Sequence, residues 1–210
     1  PLALLVCSSL AAQRGDRAGE AQSELPAGLV VPPATVRSAT EELATFRLPE
    51  GFAIRAFATE PMIGDPVAAA FDARGRLWVV EMRGYMNDVD ATDEQAKNGR
   101  VSVLLDDDGD GCADRSVVFV DGLVLPRAVL PLRDGVLVIT PPELRWYPDA
   151  DADLRPDREE VVVDGFGAGI SNPEHAGNGL LWGFDHRIHL ANDPRLLRRV
   201  GGQFVVERGA

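Results

Sequence analysis

The sequence predicts an all-β fold of tandem four-stranded sheets, and three observations predict it. Apolar runs of strand length recur from Phe52 onward, and none is long enough for a typical helix. Gly 21 and Pro 15 in 210 residues favour many turns and short strands. A long pattern also repeats at one constant offset. Asp106-Asp107-Asp108-Gly109-Asp110, Asp114-Arg115 and Val120-Asp121-Gly122-Leu123 return as Asp149, Asp151, Asp153, Asp157-Arg158 and Val163-Asp164-Gly165-Phe166.

Taken in order, Pro1 to Gln13 (PLALLVCSSLAAQ) is a short apolar run ending in small residues. It is too short to span a bilayer, which takes about 20 apolar residues. It reads as the remnant of a secretory signal, with Ser9 and Ala11 placed for small-x-small cleavage. The rival reading is a lipid anchor at Cys7, against which stands the bulky Val6 before it. Either way the expected location is exported, periplasmic or cell-surface. Residues 14–45 are rich in Ala, Glu, Pro and Gly without a sustained period, and read as a flexible linker.

The folded body is expected over 46–210. Phe52–Ala58 opens it as a lone strand. A first unit follows at about 66–122, with strands Val67–Phe71, Leu77–Met82, Val101–Leu105 and Val117–Val120. A second, at about 126–165, has Ala128–Leu132, Val136–Thr140, Leu144–Tyr147 and Val161–Val163. A third, at about 178–208, has Gly179–Phe184, Ile188–Ala191, Leu196–Val200 and Phe204–Val206. Four strands per unit with tight turns is the pattern of a β-propeller blade, which buries its faces only by stacking on neighbours. The expected architecture is therefore a propeller fragment of about three blades, with Phe52–Ala58 as an extra outer strand. Rings use about four to eight blades, so this piece belongs to a larger ring or an open arc.

Composition narrows function. Hydrophobic residues at 45% and charged residues at 26% exclude a disordered chain. A formal charge of −12 repels phosphate backbones, so nucleic acid is not an expected partner. The two cysteines, Cys7 and Cys112, leave no internal disulfide once a leader is removed, and no Cys-x-x-Cys-His haem site is present in this chain.

In a blade the turns before the first strand and between the second and third emerge on one face, around the axis. That face is expected to carry Gly165–Gly177, Arg83–Gly99 and Gly122–Arg127. His175 precedes an inner strand there, and an imidazole titrating near neutrality suits removal of a hydroxyl proton. The plainer alternative is a loop histidine bonded to a backbone carbonyl. Arg83, Tyr85, Asn87 and Asp88 form a polar cluster suited to orienting a sugar or an anionic cofactor, or else a solvated loop. Arg127 and Asn178 are further binding candidates.

On the opposite face, Asp106, Asp108, Asp110 and Asp114 have the alternate spacing of a calcium loop, with Gly111 at the turn. The twelfth position is Val117, not the bidentate Glu of an EF-hand. Any Ca²⁺ there would be structural. The copy at Asp149, Asp151, Asp153 and Asp157 has Leu154 in place of that Gly.

Leu48-Pro49-Glu50-Gly51-Phe52, Gly75 through Tyr85 (GRLWVVEMRGY), Asp108-Gly109-Asp110-Gly111 and Asn172-Pro173-Glu174-His175-x-x-Asn178-Gly179-Leu180-x-Trp182-Gly183 together carry a resemblance. They resemble the membrane-bound dehydrogenases of planctomycetes and relatives, the haem-binding proteins whose N-terminal part is a propeller. That group is in turn similar to the soluble quinoprotein glucose and sorbosone dehydrogenases. The resemblance implies an exported six-bladed propeller that oxidises a sugar or polyol hydroxyl, with pyrroloquinoline quinone as cofactor and a c-type haem domain elsewhere in the full-length protein. It implies His175 as the base, with the quinone-binding groups in later blades. The alternative function is a non-catalytic, calcium-braced propeller that binds carbohydrate or protein.

Overall fold

The computed structural model of the protein describes residues 28, 35–88, 91–166 and 176–209. The leader with Cys7, most of the expected linker and His175 lie outside the described residues.

The described residues form twelve strands in three four-stranded antiparallel sheets, and the fold is all-β. The first sheet is β1 (Pro66–Phe71), β2 (Leu77–Glu81), β3 (Gly99–Leu105) and β4 (Arg115–Leu123), in that spatial order. The second is β5 (Ala128–Leu132), β6 (Gly135–Thr140), β7 (Glu143–Pro148) and β8 (Glu160–Val163). The third is β9 (Asn178–Trp182), β10 (Ile188–Ala191), β11 (Arg195–Val200) and β12 (Gln203–Arg208). Strand β1 contacts β5, and β5 contacts β9. The first strand of each sheet is thus the one that meets its neighbours, as the inner strands of a propeller do.

Side-chain alternation explains why the strands read as continuous apolar runs. Val136 and Val138 of β6 join Trp78, Val80, Val101 and Val103 in a core between the first and second sheets. Leu137 and Ile139 point the other way and join Ile188, Leu190 and Leu197 between the second and third. Strand β6 is buried at every position because both its faces are covered.

The repeat holds at the level of single hydrogen bonds. In the β3–β4 hairpin Gly111 N donates to Asp106 Oδ2 and Asp107 N to Asp114 Oδ2. In the β7–β8 hairpin Leu154 N donates to Asp149 Oδ2 and Ala150 N to Asp157 Oδ2. The acidic residues therefore build the turns themselves, by capping backbone N–H groups.

Two expectations need correction. Phe52–Ala58 forms no strand: its Phe57 carbonyl accepts one bond, from Ala113 N at 2.7 Å, and Arg55 Nη1 donates to the Asp110 carbonyl at 2.6 Å. The segment meets the tip of the β3–β4 hairpin through these two bonds. Within the expected linker, α1 (Ala39–Leu43) is a short helix started by a capping box between Ser38 and Glu41.

Candidate functional site

Antiparallel meanders bring one end of β1, β2, β3 and β4 together. Met82 N donates to the Asp65 carbonyl at 3.0 Å, and Gly99 lies opposite Leu123. On the second sheet Arg127 N donates to the Ile139 carbonyl at 2.8 Å, and Thr140 Oγ1 to the Val124 carbonyl at 2.9 Å. The β2–β3 loop and the β4–β5 connection therefore share one face, the mouth. Asn178, which opens β9, lies at the same end of the third sheet.

Arg127 is the unusual group at this mouth. It is 7% exposed, and its Nε and Nη2 have no hydrogen-bond partner among the described residues. Burial pulls its guanidinium below its ordinary pKa, while the nearby Tyr85 and Glu94 act in the opposite sense. Leaving a buried donor unpaired costs about 1–3 kcal/mol, more for a charged group, so such a group calls for an explanation.

A second unpaired atom lies close by. The Oδ1 of Asn98 is buried and has no donor among the described residues. Its neighbour Gly99 packs so tightly that a Cβ there would sit 2.4 Å from Pro126 Cδ, next to Arg127. A Cβ on Gly84 would lie 2.8 Å from Asn98 Oδ1, and Gly84 precedes the Tyr85 that Arg127 feels. Only glycine permits these two approaches, and together they place Asn98, Tyr85 and Arg127 around the root of one loop. Asn98 was not apparent from the sequence, because nothing in its local pattern marks an unpaired amide.

Arg83 is held from beneath by Glu81. Glu81 is fully buried and accepts from Arg100 Nε at 2.7 Å, Ser102 Oγ at 2.5 Å and Gly64 N at 2.8 Å, with Arg83 Nε at 3.6 Å. Burial alone would raise its carboxyl; the bonds from Arg100, Ser102 and Gly64 outweigh that and hold it below the ordinary carboxylate range. The Arg83 side chain is 40% exposed, so it reaches solvent from this anchor. It sits over Gly64, to the side of the first sheet away from the second.

Tyr85 is half-buried. Asn87 Nδ2 ties the loop back to the Arg83 carbonyl at 2.8 Å and to Asp93 at 3.1 Å, and Asp88 binds Thr92. Asn178 is exposed, and its Oδ1 accepts from Gly179 N at 2.7 Å, in a turn of its own making. The structure thus brings Arg127 and Tyr85 together with Asn98, and gives Asn178 a backbone role. A cavity of about 230 Å³ opens nearby, lined by Lys97, Leu123, Thr140, Pro142 and Arg145 among others.

At the opposite ends of the sheets, carboxylate oxygens of Asp106, Asp108 and Asp114 all lie within 4.8 Å of one another, as do those of Asp149, Asp151 and Asp153. Such oxygen donors suit a hard cation such as Ca²⁺. Asp110 stands outside the first group and accepts from Cys112 N at 2.8 Å. Asp149 is 4% exposed, and burial pushes its carboxyl up.

A domain family of unknown function (DUF7133) matches residues 38–203. The chain belongs to this family. No curated protein matches the chain. The DUF7133 match begins at Ser38, the N-cap of α1, and ends on β12. The first two sheets, β9 to β11 of the third, the mouth residues Arg83, Tyr85, Asn98 and Arg127, and both acidic hairpins lie inside the DUF7133 match.

Proposed function

We propose that this DUF7133 domain is the propeller-like part of an exported, quinoprotein-like dehydrogenase that oxidises a sugar or polyol hydroxyl. The observation that carries a ligand at the mouth is the buried Arg127 guanidinium with two N–H groups unpaired among the described residues. Such donors call for a partner, because leaving each one dry costs stability. The reaction class comes from the resemblance of the His175 and Arg83–Tyr85 segments to dehydrogenases. In this reading His175 takes the substrate hydroxyl proton, Arg127 and Tyr85 shape the pocket, and Arg83 with Asn178 borders it.

Two groups accompany the proposal. Ca²⁺ would be held by Asp106, Asp108 and Asp114, where its charge would relieve their mutual repulsion. Of pyrroloquinoline quinone's groups, a carboxylate would suit the unpaired Arg127 donors and its pyrrole N–H the unpaired Asn98 oxygen.

The matched acidic hairpins favour a second reading, a calcium-braced propeller that binds carbohydrate or protein without turnover. One experiment separates the two. The full-length protein, supplied with Ca²⁺ and a quinone acceptor, is offered a panel of aldoses and alditols with a redox dye. Dye reduction abolished by His175→Ala, with binding spared, supports the dehydrogenase. Binding without dye reduction, unchanged by His175→Ala, supports the module.

A further inference from the structure

We propose that Asn178 is a self-modifying site, at which attack by the Gly179 backbone nitrogen turns the side-chain amide into aspartate and isoaspartate. Such a site needs neither oxidation nor a ligand at the mouth.

The sequence holds two Asn-Gly pairs, Asn98-Gly99 and Asn178-Gly179, and the fold treats them in opposite ways. Asn178 is exposed, and Gly179 N donates to its Oδ1 at 2.7 Å. One C=O bond separates that oxygen from Cγ, so the nitrogen already stands beside the carbon it must attack. In the β9–β10 register Asn178 faces Ala191 and Leu180 faces Leu190, which leaves Gly179 as the extra residue of a bulge. Its φ is 61°, and a glycine has no side chain to screen its nitrogen.

Asn98-Gly99 meets the reverse conditions. Gly99 is buried and pairs with Leu123 in the β3–β4 ladder. A Cβ there would stand 2.4 Å from Pro126 Cδ and 2.9 Å from the Leu123 carbonyl oxygen. The backbone cannot turn its nitrogen onto the Asn98 side chain without breaking these contacts.

In the reaction the Gly179 nitrogen gives its proton to solvent base and bonds to Asn178 Cγ. The Cγ–Nδ2 bond breaks, and ammonia leaves after taking up a proton. Water then opens the cyclic imide at one of its two carbonyls. Opening at the side-chain carbonyl leaves aspartate; opening at the main-chain carbonyl leaves isoaspartate, with the main chain routed through Cβ and Cγ. Either product adds negative charge where β9 begins, in a chain already at −12. Asp121-Gly122 and Asp164-Gly165 make the same bond, at 2.8 and 2.6 Å, but a carboxylate resists attack and has no ammonia to lose.

The test is peptide mapping by mass spectrometry on the full-length protein, incubated at neutral pH in heavy-oxygen water, natively and in urea. Heavy oxygen in the product marks conversion during the incubation. In the native protein Asn178 is expected to convert at least tenfold faster than Asn98, and urea should bring the two within threefold. Native conversion should quicken as the pH rises, because the nitrogen must first lose its proton. Gly179→Ala is expected to slow it at least tenfold. If that variant impairs folding, the comparison of native and urea rates in the parent decides.

An Asn178 that stays intact natively but converts in urea would overturn the proposal, since the fold would then protect it. Equal native rates at Asn98 and Asn178 would overturn it too, because the dipeptide alone would then set the rate.

Discussion

Leu154 occupies in the β7–β8 hairpin the position that Gly111 holds in the β3–β4 hairpin. Both adopt a left-handed backbone, with φ of 67° and 87°. Both donate their N–H to the first Asp of their loop, at 3.2 and 2.9 Å. Only Leu154 sends a side chain inward, where it is 7% exposed and packs in the core between the first and second sheets. A branched residue tolerates this backbone because burial of its side chain offsets the strain.

Leu154→Gly should therefore destabilise the domain despite relaxing the backbone. The lost packing is worth about 2–5 kcal/mol and the relieved strain about 1–3 kcal/mol. A net loss near 2 kcal/mol in urea unfolding is expected. No loss would mean that Leu154 contributes nothing to the core.

Glu81→Gln should cost about 3 kcal/mol at neutral pH, since it leaves Arg100 without its charge partner near the buried end of β2. The native Glu81 carboxyl is held below its ordinary pKa, so its contribution is full above about pH 4.3 and is lost as pH falls through the depressed value. Urea midpoints of parent and variant should differ widely at pH 7 and draw together as the pH falls below about 4.3. A gap independent of pH would contradict the assignment.

Cys112 should react slowly with a disulfide reagent. Burial pushes its thiol up, and the Asp110 charge adds to this. Measured at pH 7.5 in a Cys7→Ser background, its rate is expected to fall below that of a free cysteine, whose pKa is about 8.5. Asp110→Asn should quicken it, and an unchanged rate would remove Asp110 as a cause.

Arg199 fastens the third sheet to the second. Its guanidinium lies 4.7 Å from the Trp146 ring and 5.2 Å from that of Phe204, and Nη2 meets Asp134 Oδ2 at 2.7 Å. Arg199→Ala should cost about 1–2 kcal/mol by urea unfolding, from stacking and lost packing more than from the ion pair. Asp134→Asn should cost clearly less. The opposite order would assign the contact to charge.

Much of the fold was legible in the sequence. Strands such as β6 are buried on both faces, so they appear as unbroken apolar runs, and the constant offset between the acidic hairpins reports real hydrogen-bond equivalence. What was missed depends on long-range convergence. Phe52–Ala58 has strand-like composition but pairs with the hairpin tip by single bonds and not by a ladder. Glu81 looks like a punctuating charge after Val79-Val80, yet Gly64, Arg100 and Ser102 close around it. The facing Arg100-x-Ser102 on β3 was an available signal for that cluster, as Ser38-x-x-Glu41 was for α1. Arg127 could be chosen from the sequence by position, but its unpaired donors and the unpaired Asn98 acceptor emerge only once the chain is folded.

The most direct measurement is a crystal structure of the full-length protein grown with the aldose or alditol it binds best. The account predicts ligand oxygens within hydrogen-bonding distance of Arg127 Nε and Nη2. A guanidinium saturated instead by a carboxylate of the protein, with no ligand density at the mouth, would contradict it.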